Sequence, residues 1–380
     1  MSKFPPKISV LMSVYNGSRY LQKSIETILN QTFANFEFII IDDCSTDSSW
    51  EIINDYANKD QRIKLFKNEE NLGLTKSLKK GFKLAQGEYI ARQDADDISL
   101  QKRFEKQVSL LDTHPKVILV SCNIEVINAE GKKVAEHQQA CDSQWIPWYL
   151  MFYNHVAGHS QVMFRRKPVE DIGGYSETRP YSQDYELWCR LIKVGDIFIL
   201  PEVLQKQRLH NKSISAEKST QQRTLSLNQS KHNIEHLIDK ELSLEEVANL
   251  RWFWVGHQWW AHFPNPQTVD TIHFSLKEIY LAFLQQNTQK STSQREMSLQ
   301  LRLLIGQQFI RWIQNVSVLH LLSRLKISLY AFSWYAPGVL SCWLKDIYRI
   351  PLRKLFGLVQ HSSIRTPSLS VIRQESNSTL

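Results

Sequence analysis

The 380-residue sequence is poor in cysteine and lacks the paired motifs on which cysteine chemistry depends. Five cysteines are widely spaced along the chain and never form a C-x-x-C pair. An odd number of isolated cysteines argues against both a disulfide framework and a zinc site, because each of these needs paired or clustered thiols. We therefore expect five buried free thiols, at Cys44, Cys122, Cys141, Cys189 and Cys342.

The glycine-rich loops that bind phosphates in two large protein classes are also absent. Neither G-x-G-x-x-G nor G-x-x-x-x-G-K-[ST] occurs in the chain. These loops bring backbone N–H groups against the phosphates of dinucleotides and of nucleoside triphosphates. Their absence argues against a dehydrogenase and against a P-loop ATPase.

The first twenty residues lack a charged segment followed by an apolar segment and a small-residue cleavage site, so we expect a cytoplasmic protein. Residues 290–380 contain 12 Lys/Arg and 3 Asp/Glu, a net charge of +9, whereas residues 1–289 contain 34 and 35, a net charge of −1. A uniformly basic chain would suggest nucleic acid. A near-neutral front and a basic, aromatic-rich back instead predict two tasks on one chain and no nucleic-acid partner.

The front of the chain alternates between short apolar runs and helix-like segments. Apolar runs over residues 7–14, 36–41, 62–66 and 88–91 predict four strands, and the segments between them carry apolar residues at helical spacing. Strands that alternate with helices form a mainly parallel sheet with helices on its faces. Ligands of such a sheet bind beyond the carboxyl ends of its strands.

An acidic quartet, Asp94-Ala-Asp-Asp97, follows the fourth predicted strand and precedes residues 99–111, which the pattern predicts to be a helix. Crowded carboxylates raise one another's pKa and need a compensating cation, which favours a metal and phosphate site. The alternative is helix capping, in which Asp97 or Ser99 accepts backbone N–H groups at the start of the next helix.

Several motifs, in this order and at these intervals, resemble those of the family 2 glycosyltransferases, which are inverting nucleotide-sugar enzymes with the GT-A fold. The matching segments are SVLMSVYNG (9–17), IDDCSTD (41–47), NLG (71–73), GEYIARQDADD (87–97), GGY (173–175), QDYELW (183–188) and RLHNKSIS (208–215). The resemblance implies an α/β fold of the GT-A type, a Rossmann-like and mainly parallel sheet flanked by helices. We expect this domain to occupy residues 1–218.

The resemblance also implies how the nucleotide is bound. Tyr15 is implied to stack beside the base and Asp43 to accept a hydrogen bond from it. A carboxylate suits the ring N–H of uracil, so the implied donor is a UDP-sugar. Asn16 and Asn71 lie in the matching loops and are implied to contribute to nucleotide binding.

Asp94-x-Asp96 resembles the D-x-D motif of the family, in which Mg²⁺ or Mn²⁺ bridges carboxylate and diphosphate oxygens. Asp96 is implied as the direct metal ligand, and Asp94 as a contact to the ribose or, through water, to the metal. His210 matches a family position that reaches the diphosphate or the metal. Arg103 and Lys76 are further candidates for contacts to the diphosphate.

Asp184 matches the catalytic base of the family. The hydroxyl of a sugar acceptor is a poor nucleophile, so a carboxylate has to remove its proton as it attacks the anomeric carbon. Two alternatives stay open: Asp184 caps the helix that begins there, or Glu186 is the base. Residues 158–164 depart from the family pattern on the acceptor side, where His155 and His159 are either acceptor contacts or structural residues.

The back of the chain has a different composition. Residues 219–358 are expected to form a mostly α-helical, basic and Trp-rich region, and residues 359–380 a disordered end. Ser243 and Glu246 fit a capping box at the start of a helix. The uncharged run over residues 327–344, followed by Lys and Arg, predicts a peripheral helix on an anionic membrane surface; a folded helical domain and a membrane span are the alternatives.

These features predict an inverting, metal-dependent glycosyltransferase at the inner face of the membrane. It would move a sugar from a UDP-sugar to a glycan or lipid-linked acceptor in polysaccharide or cell-envelope glycan synthesis. The alternative is a catalytically silent sensor or scaffold that binds sugar nucleotides, which would require a missing base or ligand. The sequence does not specify the sugar or the acceptor hydroxyl.

Overall fold

The computed structural model describes residues 5–139, 143–156, 158–255, 266–287, 294–315 and 324–336. The chain divides into two compact units. The first comprises Met1–Leu150 and Asn154–Gln229, and the second comprises Met151–Tyr153 and Ser230–Leu380. The domain boundary expected after residue 218 stays a prediction.

The helices and strands of the front half follow the alternation expected from the sequence. In chain order they are β1 (Ile8–Val14), α1 (Ser18–Leu29), β2 (Phe36–Asp42), α2 (Ser49–Lys59), β3 (Ile63–Lys67), α3 (Leu74–Leu84), β4 (Tyr89–Arg92), β5 (Ile98–Ser99), α4 (Arg103–Thr113), β6 (Val117–Ile127), β7 (Lys133–His137), a 3₁₀ turn (Ser143–Trp145), α5 (Ile146–Leu150), β8 (Met163–Arg165), α6 (Arg166–Asp171), α7 (Gln183–Leu191), β9 (Asp196–Arg208) and α8 (Ile214–Glu217). The four predicted strands correspond to β1–β4 within one or two residues.

Nine strands of the described residues form one sheet in the order β3-β2-β1-β4-β8-β6-β9-β5, with β7 paired to β6. The strands β3, β2, β1 and β4 are all parallel. Beyond β4 the sheet is mixed, because β8 is antiparallel to β4 and β6 whereas β9 is parallel to β6. The predicted α/β class and its mainly parallel sheet flanked by helices are confirmed. The mixed half of the sheet was not predicted.

Helices pack on both faces of the sheet, so both faces are buried. Successive residues of a strand point to opposite sides and therefore enter different cores. Val10 and Met12 of β1 belong to the core on one face, which includes residues of α1 and α4, whereas Leu11 belongs to the core on the other face, with residues of α3 and α7. Burial on both sides explains why β1 and β2 have nearly continuous apolar sequences rather than an alternating pattern.

The region after the acidic quartet differs from the prediction of a helix over residues 99–111. Ile98 and Ser99 instead form β5, which pairs antiparallel with β9. The helix α4 begins only at Arg103, and its N-cap, Lys102, makes no side-chain capping hydrogen bond. The capping alternative for Asp97 and Ser99 is therefore wrong.

The remaining elements are helical, as predicted. They are α9 (Ser219–Ile238), α10 (Leu244–Val255), α11 (Pro266–Asn287), α12 (Gln294–Asn315) and a helix over residues 324–336, here α13. The capping box at the start of α10 is confirmed, since Ser243 N donates to Glu246 Oε2 over 2.8 Å and Glu246 N donates to Ser243 Oγ over 3.2 Å. Among the helices of the described residues, none has the length and apolarity needed to cross a bilayer.

Two sets of predictions concern residues that the structure describes only in part. Residues 337–358 and the expected disordered end, 359–380, lie outside the described residues. Among the cysteines, Cys122 and Cys189 are buried as predicted, whereas Cys44 is partly exposed, because it lies in the loop after β2, so burial was wrong there. Cys141 and Cys342 lie outside the described residues.

Candidate active site

The candidate site lies where the strand order of the sheet reverses. Strand β1 pairs with β2 on one side and with β4 on the other, so the loops that follow β1 and β4 leave the sheet next to each other. They approach closely, since a Cβ built on Gly17 would lie 3.4 Å from Cβ of Ala95. A reversal of this kind leaves a crevice beyond the carboxyl ends of the strands, which is where ligands of open α/β sheets bind.

The loops after β1 and β2 are joined by Asn16 and Asp47. Asn16 adopts a left-handed backbone with φ 52°, and its Oδ1 accepts a hydrogen bond from Thr46 N over 2.8 Å. Asp47 accepts hydrogen bonds from Ser18 N over 3.1 Å and from Ser49 N over 3.0 Å, so one carboxylate serves the first turns of α1 and α2. Burial raises the pKa of Asp47, but these hydrogen bonds outweigh it and the net shift is downward.

Tyr15 and Asp43 differ sharply in exposure. Tyr15 is 53% exposed at the end of β1, whereas Asp43 is 2% exposed at the end of β2. The Oδ1 of Asp43 accepts three hydrogen bonds of 2.7–2.9 Å, from Asn68 Nδ2, Leu72 N and Ser77 Oγ. Its Oδ2 accepts one, from Gly73 N over 2.8 Å, which leaves that oxygen with one lone pair for a further donor.

Asp43 therefore holds the turn at residues 71–73 against the end of the sheet. Gly73 has φ 83°, a conformation that residues with a Cβ rarely adopt, and it directly precedes α3. Asn71 and Lys76 are both exposed on this segment. The sequence placed Asp43, Asn71 and Tyr15 in one site, and the structure places all three at the carboxyl ends of neighbouring strands.

Asp94 is paired with an arginine that the sequence analysis did not consider. Arg92 is fully buried at the end of β4, donates to Leu11 O over 2.6 Å and forms an ion pair with Asp94 Oδ1. Burial raises the pKa of Asp94; Arg92 opposes that shift and the neighbouring Asp96 adds to it. A charged residue in an otherwise apolar strand is the sequence signal that could have revealed this pair, since a buried charge needs a counter-ion.

Asp96 faces His210 across the site. Its Oδ2 lies 2.8 Å from His210 Nε2, and both side chains are partly exposed. Arg208 fixes this arrangement, because its Nε donates to Asp96 O over 3.0 Å and its backbone N donates to Asp97 Oδ1 over 2.9 Å. Asp97 thus ties the quartet to the end of β9. The ring of Tyr20 supports both neighbours, 5.0 Å from the His210 ring and 4.4 Å from the Arg208 guanidinium.

Arg103 does not reach the surface of the site. It is fully buried and donates to Ser99 Oγ over 2.6 Å and to Arg92 O over 2.7 Å, with further hydrogen bonds to Gln93, Gln205 and Val162. Burial lowers the pKa of Arg103 to about 10, so its guanidinium stays charged at neutral pH. The expected contact to a diphosphate was wrong for Arg103, because its donors are occupied behind the acidic loop.

Asp184 lies in the first turn of α7, partly buried. Its Oδ2 accepts a hydrogen bond from Asn154 Nδ2 over 3.0 Å, and its Oδ1 accepts one from Tyr185 N over 2.8 Å. Burial raises the pKa of Asp184 to about 6; these hydrogen bonds oppose the shift and the charge of Asp94 adds to it. A carboxylate whose pKa approaches neutrality is suited to accepting a proton.

The contacts of α7 bear on both alternatives, that Asp184 caps the helix and that Glu186 is the base. The N-cap of α7 is Ser182, which makes no side-chain capping hydrogen bond, and Asp184 accepts only the adjacent Tyr185 N–H of that helix among the bonds the structure shows. Glu186 forms a two-point ion pair with Arg190, over 2.6 and 2.7 Å, and Arg190 also donates to Ile172 O. Glu186 thus has a structural role in holding α7 to the segment that follows α6.

His155 and His159, the two candidates for acceptor contacts, are both buried. His159 Nε2 lies 2.7 Å from the hydroxyl of Tyr175, and burial together with the nearby Arg92 holds the pKa of His159 well below its usual range. The His155 ring stacks on Tyr149 with 4.2 Å between centroids. Both histidines are thus packed in the interior, which agrees with their structural interpretation.

The donor set at Asp96 and His210 fits a divalent cation. Asp96 Oδ2 and His210 Nε2 are partly exposed and hydrogen-bonded to each other at 2.8 Å, and carboxylate oxygens and imidazole nitrogens are common ligands of hard or intermediate divalent metals. Over the described part of the chain, no group of three or more His, Cys, Asp and Glu side chains surrounds a common point. A cation at Asp96 would thus take further ligands from a bound diphosphate or from water.

The chain is similar to known glycosyltransferases. A family model described as Glycosyl transferase family 2 matches residues 9–173. The chain is 30% identical over 243 residues to an uncharacterized glycosyltransferase of Haemophilus influenzae, covering 62% of this chain and 75% of the relative. It is also 30% identical over 203 residues to the amylovoran biosynthesis glycosyltransferase AmsE of Erwinia amylovora, covering 53% of this chain and 75% of that protein.

Among solved structures, TarS residues 1–349 of S. aureus in complex with UDP-GlcNAc aligns with a TM-score of 0.49 at 16% identity, over 74% of this chain and 87% of that one. The sheet with its site at the strand reversal and the relatives in sequence define the protein as a glycosyltransferase. The chain belongs to glycosyl transferase family 2.

Proposed function

We propose that the protein transfers a sugar from a UDP-sugar to a hydroxyl group of a glycan or lipid-linked acceptor, with inversion at the anomeric carbon. The observation that carries this proposal is the partly buried carboxylate of Asp184, whose raised pKa of about 6 suits a general base and which feels the charge of Asp94 in the acidic loop. The proposed base and the proposed donor-binding groups all belong to the first unit.

On the acceptor side, Asp184 removes the proton of the attacking hydroxyl. The acceptor oxygen then bonds to the anomeric carbon while the bond between that carbon and the diphosphate oxygen breaks, and UDP leaves. Asn154 donates to one oxygen of Asp184 and Tyr185 N to the other, so the carboxylate is held in a fixed orientation. A single base without a covalent intermediate implies one displacement and therefore inversion.

On the donor side, Asp96 and His210 would hold Mg²⁺ or Mn²⁺ together with the diphosphate. Such an ion supplies positive charge against the negative charge of the departing diphosphate. Asp94 is already paired with buried Arg92, which supports Asp96 as the direct ligand and Asp94 as a contact to the ribose or to metal-bound water.

The nucleotide would lie over the ends of β1 and β2. Tyr15, more than half exposed, offers a ring for the base to stack on, and the remaining lone pair of Asp43 Oδ2 can accept the ring N–H of uracil. Asn16 supports the loop that carries Tyr15, and Asn71 is exposed beside the turn that Asp43 holds. These placements support UDP as the nucleotide.

The name of AmsE, an amylovoran biosynthesis glycosyltransferase, supports polysaccharide or cell-envelope glycan synthesis as the process. An acceptor of this kind is a growing glycan or its lipid-linked form, which would be met at the inner face of the membrane. We therefore infer a cytoplasmic protein that associates with that face peripherally.

The test is UDP release from a panel of nucleotide sugars, with Mg²⁺ or Mn²⁺, for the wild type, Asp96→Ala and Asp184→Asn. Asp55→Asn is the matched control, because Asp55 is an exposed carboxylate on α2, whose partner is Lys59. We expect the wild type and Asp55→Asn to release UDP from a UDP-sugar in a metal-dependent reaction. Asp96→Ala and Asp184→Asn should lose this release. Binding of a UDP-sugar without release from any donor, also in the presence of candidate glycan acceptors, would favour the silent sensor or scaffold.

A further inference from the structure

The helix α13, residues 324–336, carries apolar side chains on two opposite faces. Ile327, Ala331 and Trp334 are buried within the second unit. On the other face, Leu325, Leu329 and Phe332 are 47%, 69% and 47% exposed. Their spacing of four and three residues places them in one line along the helix surface. Large apolar residues aligned in this way, rather than scattered singly, mark an interaction surface.

The exposed line cannot turn inward, because the opposite face of α13 is fixed against α11. The Trp334 indole N–H donates to His273 Nδ1 over 3.2 Å, and the Tyr330 ring stacks on the His273 ring with 3.9 Å between centroids. Asp270 accepts hydrogen bonds from both Lys326 and Tyr330. These contacts hold the rotation of the helix, so Leu325, Leu329 and Phe332 stay on the outside of this pair of helices.

The charge beside the exposed line is mainly positive. Arg324 adjoins Leu325, and Arg302 of α12 donates to Ser333 O, next to Phe332, whereas Lys326 is paired with Asp270. An apolar line with a cationic border is complementary to an anionic lipid surface, where acyl chains take the apolar side chains and headgroups take the cations.

We propose that Leu325, Leu329 and Phe332 form a membrane-docking line that enters the boundary between headgroups and acyl chains of an anionic bilayer, with Arg324 at the headgroups. This proposal rests on the peripheral location inferred above and makes it specific. It depends on residues of the second unit alone. The docking proposal can therefore fail while the proposed transferase activity holds, and the proposed activity can fail while the docking proposal holds.

The test is sedimentation of the full chain with vesicles of phosphatidylcholine alone and with vesicles containing phosphatidylserine. The variant Leu329→Asp/Phe332→Asp changes two exposed positions, and Val194→Asp is the matched control, an apolar residue of the first unit that is 54% exposed. We expect binding to the anionic vesicles that the double variant weakens about tenfold or more and the control does not change. UDP release in solution without vesicles should be equal in all three proteins.

Three results would overturn the proposal. The first is equal sedimentation of wild type and double variant with anionic vesicles, and the second is wild-type binding that does not require phosphatidylserine. The third is a self-association of the wild type, measured by light scattering, that the double variant abolishes without any change in vesicle binding. That last result would assign the line to a second copy of the chain instead of a lipid surface.

Discussion

His210 Nε2 lies 2.8 Å from Asp96 Oδ2, although the two residues are 114 positions apart in the chain. The contact exists because Arg208, at the end of β9, binds the acidic loop through both its side chain and its backbone. One group of the acidic loop and one group of the segment after β9 are thereby brought within hydrogen-bond distance. The proposed cation would depend on both.

We predict that His210→Ala raises the Mn²⁺ concentration needed for half-maximal UDP release by about 10–100-fold, because loss of a ligand or of a group that orients one costs this much in metal affinity. The measurement is a metal titration of activity at saturating donor. His114→Ala, which changes an exposed histidine at the end of α4, should behave as wild type. A variant with normal metal dependence and normal turnover would remove His210 from the metal site.

The raised pKa of Asp184 predicts a pH dependence of activity. With a pKa of about 6, Asp184 is protonated below that pH and cannot accept the proton of the acceptor, so kcat/KM should rise with pH through about 6 and level off above it. Asp184→Asn should lose activity at every pH. The measurement is the pH profile of acceptor glycosylation with a saturating metal ion. A carboxyl group with this pKa would titrate between about pH 5 and 8, so a wild-type profile that is flat over that range would contradict the assignment.

The same shift affects stability with a defined sign. A carboxyl group whose pKa is higher in the folded state than in the unfolded state binds more protons when folded, so its contribution falls as pH rises from its ordinary value of 3.8 to about 6. The Tm of the wild type relative to Asp184→Asn should therefore decrease across that interval. A difference in Tm that is constant with pH would show that Asp184 is not desolvated in the folded protein.

Asp43→Ala is predicted to destabilise the fold by about 3 kcal/mol or more, because it leaves several buried donors without an acceptor at a cost of about 1–3 kcal/mol each. These donors are Asn68 Nδ2, Leu72 N, Gly73 N and Ser77 Oγ. Urea unfolding measures the loss, and Glu70→Ala, at an exposed position of the same loop, is the control. If Asp43→Ala weakened UDP binding with unchanged stability, Asp43 would serve the ligand and not the turn.

The sequence predicted the parallel half of the sheet because β1 and β2 are buried on both faces and therefore have continuous apolar runs. It did not predict β5, a two-residue strand that exists only because β9 pairs with it; the paired residues, Ile98 with Lys206 and Ser99 with Gln205, lie far apart in the chain. The helix expected to start at Ser99 begins at Arg103 for the same reason. Pairing between distant segments outweighs local periodicity in such a short stretch.

The residues of the candidate site were predictable from the sequence, but their hydrogen-bond partners were not. Motif resemblance selected Asp43, Asp94, Asp96, Asp184 and His210, and the structure places all five at the sheet edge or in the segments next to it. Resemblance did not show what each group is bonded to, because partners such as Ser160, Asn154 and Arg208 come from distant segments. The burial of Arg103 was missed for the same reason: its hydrogen-bond partners come from β4, β5 and β9 and from the loops that contain Gln93 and Val162.

Arg103→Met is predicted to lower the free energy of unfolding by about 3 kcal/mol or more, since several buried acceptors lose their donor at a cost of about 1–3 kcal/mol each. Those groups include Gln93 Oε1, Ser99 Oγ and the Arg92 carbonyl. Lys76→Met, at an exposed position of α3, should change stability by less than about 0.5 kcal/mol. An Arg103→Met protein of normal stability that binds UDP poorly would restore Arg103 as a diphosphate contact.

The pairing of buried Arg92 with Asp94 predicts strong coupling between the two side chains. Arg92→Met removes the charge that offsets Asp94, and Asp94→Asn removes the counter-ion of a guanidinium with no exposure to water, so each single change is expected to be destabilising. In the double variant neither charge is left unpaired, and the cycle should give a coupling energy of about 1–3 kcal/mol. Urea unfolding of the four proteins measures it. Additive losses would mean that Arg92 is compensated by the Leu11 and Gln93 carbonyls, and Asp94 would then be available to a metal ion.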